Sequence, residues 1–167
     1  DLPAPVVSRT VQDGDLLTSW LRMDAPIPQA KGDRLVARVD LPRHAVGGSA
    51  PSVIFTHGIG METQFWKGRL AAPSALLDAG VAYIQPEGPW HGRRRPAGWW
   101  GGEPILALGP MGLLDYFHAH VVELGLLTAW ARKAHGGPVA LAGVSLGALV
   151  CQLAASAAAH WPRAMRP

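Results

Sequence analysis

The chain has 167 residues, 49% of them hydrophobic and 16% charged, with a net charge of +3. That composition suits one domain with a packed core, and it excludes a disordered chain despite 20 glycines and 15 prolines. The small basic excess gives no ground for a nucleic-acid partner. The single cysteine, Cys151, excludes an internal disulfide without fixing the compartment, so a soluble, cytoplasmic setting is favoured only slightly.

Residues 1–30 are spaced by prolines. Asp13-Gly14-Asp15 reads as a turn, and Leu16, Leu17, Trp20 and Leu21 as a short strand or helix. From Arg34 to Leu41 apolar and polar residues alternate, which puts Leu35, Ala37, Val39 and Leu41 on one face of a half-buried strand. A Gly/Ser/Pro loop follows. Val53 to Thr56 is a buried-type strand ending in His57-Gly58-Ile59-Gly60. Met61 to Phe65 reads as loop or helix start, and Leu70 to Ala79 as a helix stopped by Gly80. Val81 to Ile84 is a second buried-type strand, and a long loop through His91, Arg93, Arg94, Arg95, Trp99 and Trp100 follows it. Gly112 to His135 has helical spacing, with Leu113, Phe117, Val121, Leu124 and Leu127 along one side. Val139 to Ala142 is a third short strand. It leads into Gly143-Val144-Ser145-Leu146-Gly147 and a small-residue helix that closes at Pro162.

From Val53 onward the pattern alternates strand and helix, which implies parallel strands covered on both faces. Chemistry in such sheets sits at the carboxyl ends of the strands. Both the His57-Gly58 loop and Ser145 fall there. A serine on a sharp strand-to-helix turn has its hydroxyl lifted out of the sheet, the flanking glycines let the backbone pass, and the helix N-terminus favours a developing anion. A membrane-spanning reading competes, because no charged residue lies between Lys133 and Arg163 and Gly143-x-x-x-Gly147 is also a helix-pairing pattern. The Ala/Gly/Ser composition, Gln152 in mid-span and the turn at Gly136-Gly137-Pro138 argue against it.

Other residues carry weaker signals. His57 could act as a base or shape its loop by hydrogen bonding. The three arginines could recognise a carboxylate or phosphate, but a solvated loop is the better expectation, since adjacent side chains do not all point one way. The tryptophans could line an apolar pocket or simply pack. Asp115 and Glu123 are expected as charges on the helix surface. His118 and His120, two apart, face different ways. No spacing of ligands points to a metal, and no phosphate-binding loop is present.

The strand followed by His57-Gly58-Ile59-Gly60, together with Gly143-Val144-Ser145-Leu146-Gly147, resembles the α/β-hydrolase superfamily over residues 53–160. The resemblance implies a parallel-sheet, three-layer α/β fold. It implies Ser145 as nucleophile, and the backbone N–H groups of Leu146 and Ile59 (or Gly60) as oxyanion donors. Gly60, His57, Trp90 and His91 would stand on the substrate side. No cofactor or metal is implied. The superfamily order is serine, then acid, then histidine. Here no Asp or Glu follows Ser145, and the only later histidine is His160, which the helix should carry away from the hydroxyl. The expectation is therefore the N-terminal part of a serine hydrolase acting on an ester (less readily an amide or thioester). Residues 1–50 lead into the sheet and residues 51–167 form an incomplete core ending after the helix that follows Ser145. The rest of the fold would lie in the same or another chain, and this piece alone would be inactive. A non-catalytic binding or assembly module of the same fold is the alternative. The expected partner is a small ester-type substrate, with neither nucleic acid nor a membrane span.

Overall fold

The computed structural model describes residues 5–60 and 73–167. Its strands form one mixed sheet. These are β1 (Val6–Val7), β2 (Val11–Asp13), β3 (Leu16–Asp24), β4 (Arg34–Pro42), β5 (Ala50–Thr56), β6 (Ala82–Glu87) and β7 (Gly136–Gly143). They run in the order β1-β3-β4-β6-β5-β7, with β2 also paired to β3. The helices are α1 (Ser74–Asp78), α2 (Glu103–Ala107), α3 (Gly109–His135) and α4 (Leu146–Ala157).

The parallel arrangement expected from Val53 onward is found at β6-β5-β7. Ahead of it, β1 to β4 pair antiparallel, and β4 joins β6 antiparallel. The reason is local. Gly14, at φ 56°, closes the β2–β3 hairpin, and neighbouring antiparallel strands need no helical crossover. Leu16 to Leu21 belongs to the nine-residue β3, so the open choice between strand and helix resolves to strand. In β4, Leu35, Ala37 and Val39 are buried as the alternation requires, but Val36 and Asp40 on the other face are buried as well. The helix expected from Leu70 is present over Ser74–Asp78, and Gly80 follows at φ 77°. The loop placed at Met61 to Phe65 and the start of that helix lie outside the described residues.

The core gathers Leu21, Leu35, Ile54, Ile84, Leu124 and Leu127, each fully buried and each contributing roughly 1.5–3 kcal/mol. Helices α3 and α4 pack on each other and on β5 and β7, while α1 lies against β4 and β6. The buried face of α3 is not the apolar stripe alone. Leu113 is partly exposed, whereas Tyr116, His120 and Glu123 are fully buried. Gly136, at φ 75°, ends α3 and opens β7. The uncharged stretch after Lys133 thus divides into the end of α3, a strand, a turn and α4. Among the described residues no helix is long and apolar enough to cross a membrane.

Candidate active site

Strand β7 ends at Gly143, and the Val144 N–H donates to the Thr56 carbonyl at 3.2 Å, which carries the pairing with β5 one residue further. Ser145 then adopts φ 53°, ψ −122°. Such a backbone costs a residue with a Cβ about 1–3 kcal/mol, so the surroundings must enforce it. Three glycines let the backbone close tightly around it, two with no room for a methyl group and the third with little. A Cβ on Gly143 would stand 2.5 Å from the Gly147 carbonyl, and one on Gly147 would stand 2.3 Å from the Thr56 carbonyl. One on Gly58 would stand 3.1 Å from Ser145 Cβ and 3.7 Å from its Oγ. The result is an exposed serine held against the loop that leaves β5. The Ser145 carbonyl accepts from the Ala148 N–H at 2.9 Å and so begins α4. Leu146 supplies the first amide of α4, one of the four that a helix leaves without an internal partner, at the positive end of the helix dipole.

The loop after β5 is fixed from below. The Gly88 N–H donates to His57 Nε2 at 3.0 Å, so that nitrogen is the acceptor and Nδ1–H donates to the Gly58 carbonyl at 2.8 Å. Burial, reinforced by the nearby His91, pushes the His57 pKa down to about 3. A neutral imidazole with both nitrogens engaged shapes the loop. His91 is fully buried, donates from Nδ1 to the Pro89 carbonyl at 2.8 Å, and meets the His57 ring edge-on at 4.6 Å. Trp90 is 6% exposed and sits at φ 61°. Among the described residues, Trp90 and Ser145 alone combine a side chain with positive φ. The Trp90 carbonyl accepts from the Gly102 N–H at 3.1 Å, and a Cβ on Gly102 would stand 3.0 Å from Ile59 Cγ1. The loop after β6 therefore folds back onto the loop after β5. Of the residues singled out in the sequence, Ser145 stands against Gly58 of the loop after β5, Leu146 follows it at the start of α4, and Ile59 is on the surface. His57, Trp90 and His91 lie beneath that surface.

Glu123 corrects the sequence reading. It is not a surface charge but is fully buried, whereas Asp115 is exposed. Its two oxygens accept from the Arg94 guanidinium at 2.9 and 2.7 Å. Arg94 in turn donates to both oxygens of Asp33 at 3.0 and 2.9 Å, and to the Glu87 carbonyl at 3.0 Å. Burial works against the Arg94 charge, yet Glu123 and Asp33 hold its pKa above the ordinary value. Glu123 also accepts from His120 Nδ1 at 3.1 Å, and His120 Nε2 lies 2.7 Å from the Thr56 hydroxyl. The arginines accordingly differ. Arg94 is sealed in, Arg93 pairs with Glu87 at 2.7 Å and stacks 3.6 Å over Trp20, and Arg95 is exposed. The cluster's one visible trace in the sequence is His120-x-x-Glu123, two polar side chains on one helical face.

No described residue donates to or accepts from Ser145 Oγ. His118 and His160 are both exposed, the latter beyond the end of α4. Residues 8–166 match the family described as alpha/beta hydrolase domain containing 18. The chain belongs to this family. Comparison with curated proteins finds no match. Among solved structures, acetyl xylan esterase 1 from Thermoanaerobacterium sp. JW/SL YS485 is 17% identical, with a TM-score of 0.65 over 92% of this chain and 49% of that one. An S-formylglutathione hydrolase from Agrobacterium tumefaciens is 13% identical, with a TM-score of 0.60 over 89% and 56%. A glucuronoyl esterase from Solibacter usitatus is 14% identical, with a TM-score of 0.63 over 95% and 50%. These likenesses establish the α/β-hydrolase fold. The chain spans about half the length of the structures it matches.

Proposed function

We propose that the whole protein is a serine hydrolase acting on a small ester through an acyl-enzyme on Ser145. The observation that carries this reading is the exposed Ser145 at φ 53°, held against Gly58 at the start of a helix. Family membership and the esterases among the structural neighbours agree with it. In the proposed reaction Ser145 Oγ attacks the ester carbonyl and its proton passes to a base. The N–H groups of Leu146 and Ile59 hold the oxyanion, with Gly60 beside them. The alkoxide leaves with a proton, and water then releases the acid. His57, Trp90 and His91 serve this site by holding its loop from beneath. Losing one oxyanion donor in such a site costs about 3–4 kcal/mol of transition-state stabilisation.

The general base and its orienting acid would come from the remainder of the fold, in the same or another chain. That remainder would also cover the β7 edge and the exposed Leu149 and Leu153 of α4. This 167-residue piece alone is then inactive toward activated esters. A second reading, a non-catalytic module of the same fold, draws on the lack of any described hydrogen bond to Ser145 Oγ. Labelling with a fluorophosphonate probe separates the two. The full-length protein should label, and Ser145→Ala should abolish the signal. A folded full-length protein that stays unlabelled leaves the binding module as the better reading. Labelling of the isolated piece overturns the claim that it is inactive.

A further inference from the structure

Thr56 is the last residue of β5, and it faces three ways. Its carbonyl accepts from the Val144 N–H at 3.2 Å. The same carbonyl is the atom that a Cβ on Gly147 would strike, at 2.3 Å. Its hydroxyl lies 2.7 Å from His120 Nε2, in a place with no exposure to solvent. Behind His120 stand Glu123, Arg94 and Asp33, joined by paired hydrogen bonds.

We propose that His120 is a positioning residue, fixing through the Thr56 hydroxyl the end of β5 against which the Ser145 turn closes. The inference rests on the reading of Ser145 as nucleophile given above. Glu123 accepts from His120 Nδ1, which fixes the ring and presents Nε2 to the Thr56 hydroxyl. The bonds of this chain are directional at every link. Apolar packing of the same volume would hold such a core as firmly, because desolvation offsets most of what a buried ion cluster gains. What the cluster adds is placement. An oxyanion site works only within about 0.5 Å of its productive geometry, and the carbonyl and hydroxyl of Thr56 fix the strand end beside it. His120 is fully buried and reaches neither Ser145 nor a substrate, so its action runs through Thr56.

The test uses the full-length protein and three readouts. These are the rate of fluorophosphonate labelling, kcat and KM on an activated ester, and the melting temperature. Thr56→Val keeps the β-branched shape and removes the hydroxyl. It should stay folded and label about 10- to 100-fold more slowly, with kcat reduced and KM within about two-fold, since a misplacement near 1 Å costs on the order of 10²-fold. Thr56→Ser restores the hydroxyl and should recover most of the rate. The inference is overturned if Thr56→Val labels at the wild-type rate, if Thr56→Ser is as slow as Thr56→Val, or if labelling falls only with the unfolded fraction. Should Thr56→Val fail to fold, His120→Gln takes its place, because its amide cannot meet Thr56 and Glu123 together. Slow labelling with a native melting temperature then supports positioning, and native labelling overturns it. A folded wild type that does not label removes the nucleophile reading itself, an outcome distinct from a labelled wild type with a normally labelled Thr56→Val.

Discussion

Two hydroxyls stand at the ends of the neighbouring parallel strands β5 and β7, and they are equipped in opposite ways. Thr56 has an imidazole at 2.7 Å and a carboxylate 3.1 Å behind that, yet it is wholly buried. Ser145 is exposed on a strained turn at a helix start, and no described imidazole bonds to it. A hydroxyl, imidazole and carboxylate in series are therefore no mark of a nucleophile. Access for a substrate and backbone donors aimed at a developing charge have to be present as well. The series at Thr56 is sealed in the interior, and the serine stands open at the surface.

The sharpest way to break the contrast is at the open hydroxyl. In the full-length protein Ser145→Ala should lower ester turnover by at least about three orders of magnitude with an unchanged melting temperature. A variant that keeps most of its turnover would move the chemistry elsewhere. Next in size is the sealed series. Glu123→Leu strands half of the Arg94 pairing in the interior and should cost about 3–5 kcal/mol in urea unfolding. A loss below about 1 kcal/mol would mean that the cluster carries little of the structure.

Acid should act on the scaffold before it acts on any surface pair. His57 titrates near 3 in the fold against an ordinary 6.5, so between those values the unfolded chain binds a proton that the fold refuses. Stability is full above pH ~6.5 and falls by roughly 1.4 kcal/mol per unit as pH drops through that window, giving ~2 kcal/mol between pH 7 and 5. Burial lowers His135 as well, which adds in the same direction. Urea midpoints across the range check this, and a flat profile would contradict a neutral, doubly bonded His57. The smallest effect belongs to Arg93, whose side chain is half exposed over Trp20. Arg93→Ala should cost no more than about 1 kcal/mol in the same assay.

What the sequence reveals here is what is local. The G-x-S-x-G between an apolar run and a small-residue helix locates the Ser145 turn, because strand, turn and helix each leave their mark within a few residues. His57-Gly58 is legible for the same reason. The antiparallel half of the sheet is less so: alternation from Arg34 to Leu41 reports a strand but not the direction of its neighbours. The positive φ of Trp90 has no sequence signal, since tertiary contacts enforce it on a residue that would not choose it. The burial of Glu123 is hidden too. Its charge is answered by Arg94, 29 positions away, and Arg94 is answered by Asp33, a further 61 away. A helix-surface charge is the ordinary place for a glutamate until those partners are known.

Those separations also bear on the order of folding. Glu123 comes from α3, Arg94 from the loop after β6, and Asp33 from the connection between β3 and β4. A partial fold that docks α3 on the sheet without that connection leaves Arg94 paired with Glu123 but without the two hydrogen bonds that it gives to Asp33. Arg94 therefore has its full set of partners only when all three segments are in place. This ties the antiparallel and parallel halves of the sheet into one cooperative transition and disfavours a stable half-folded form.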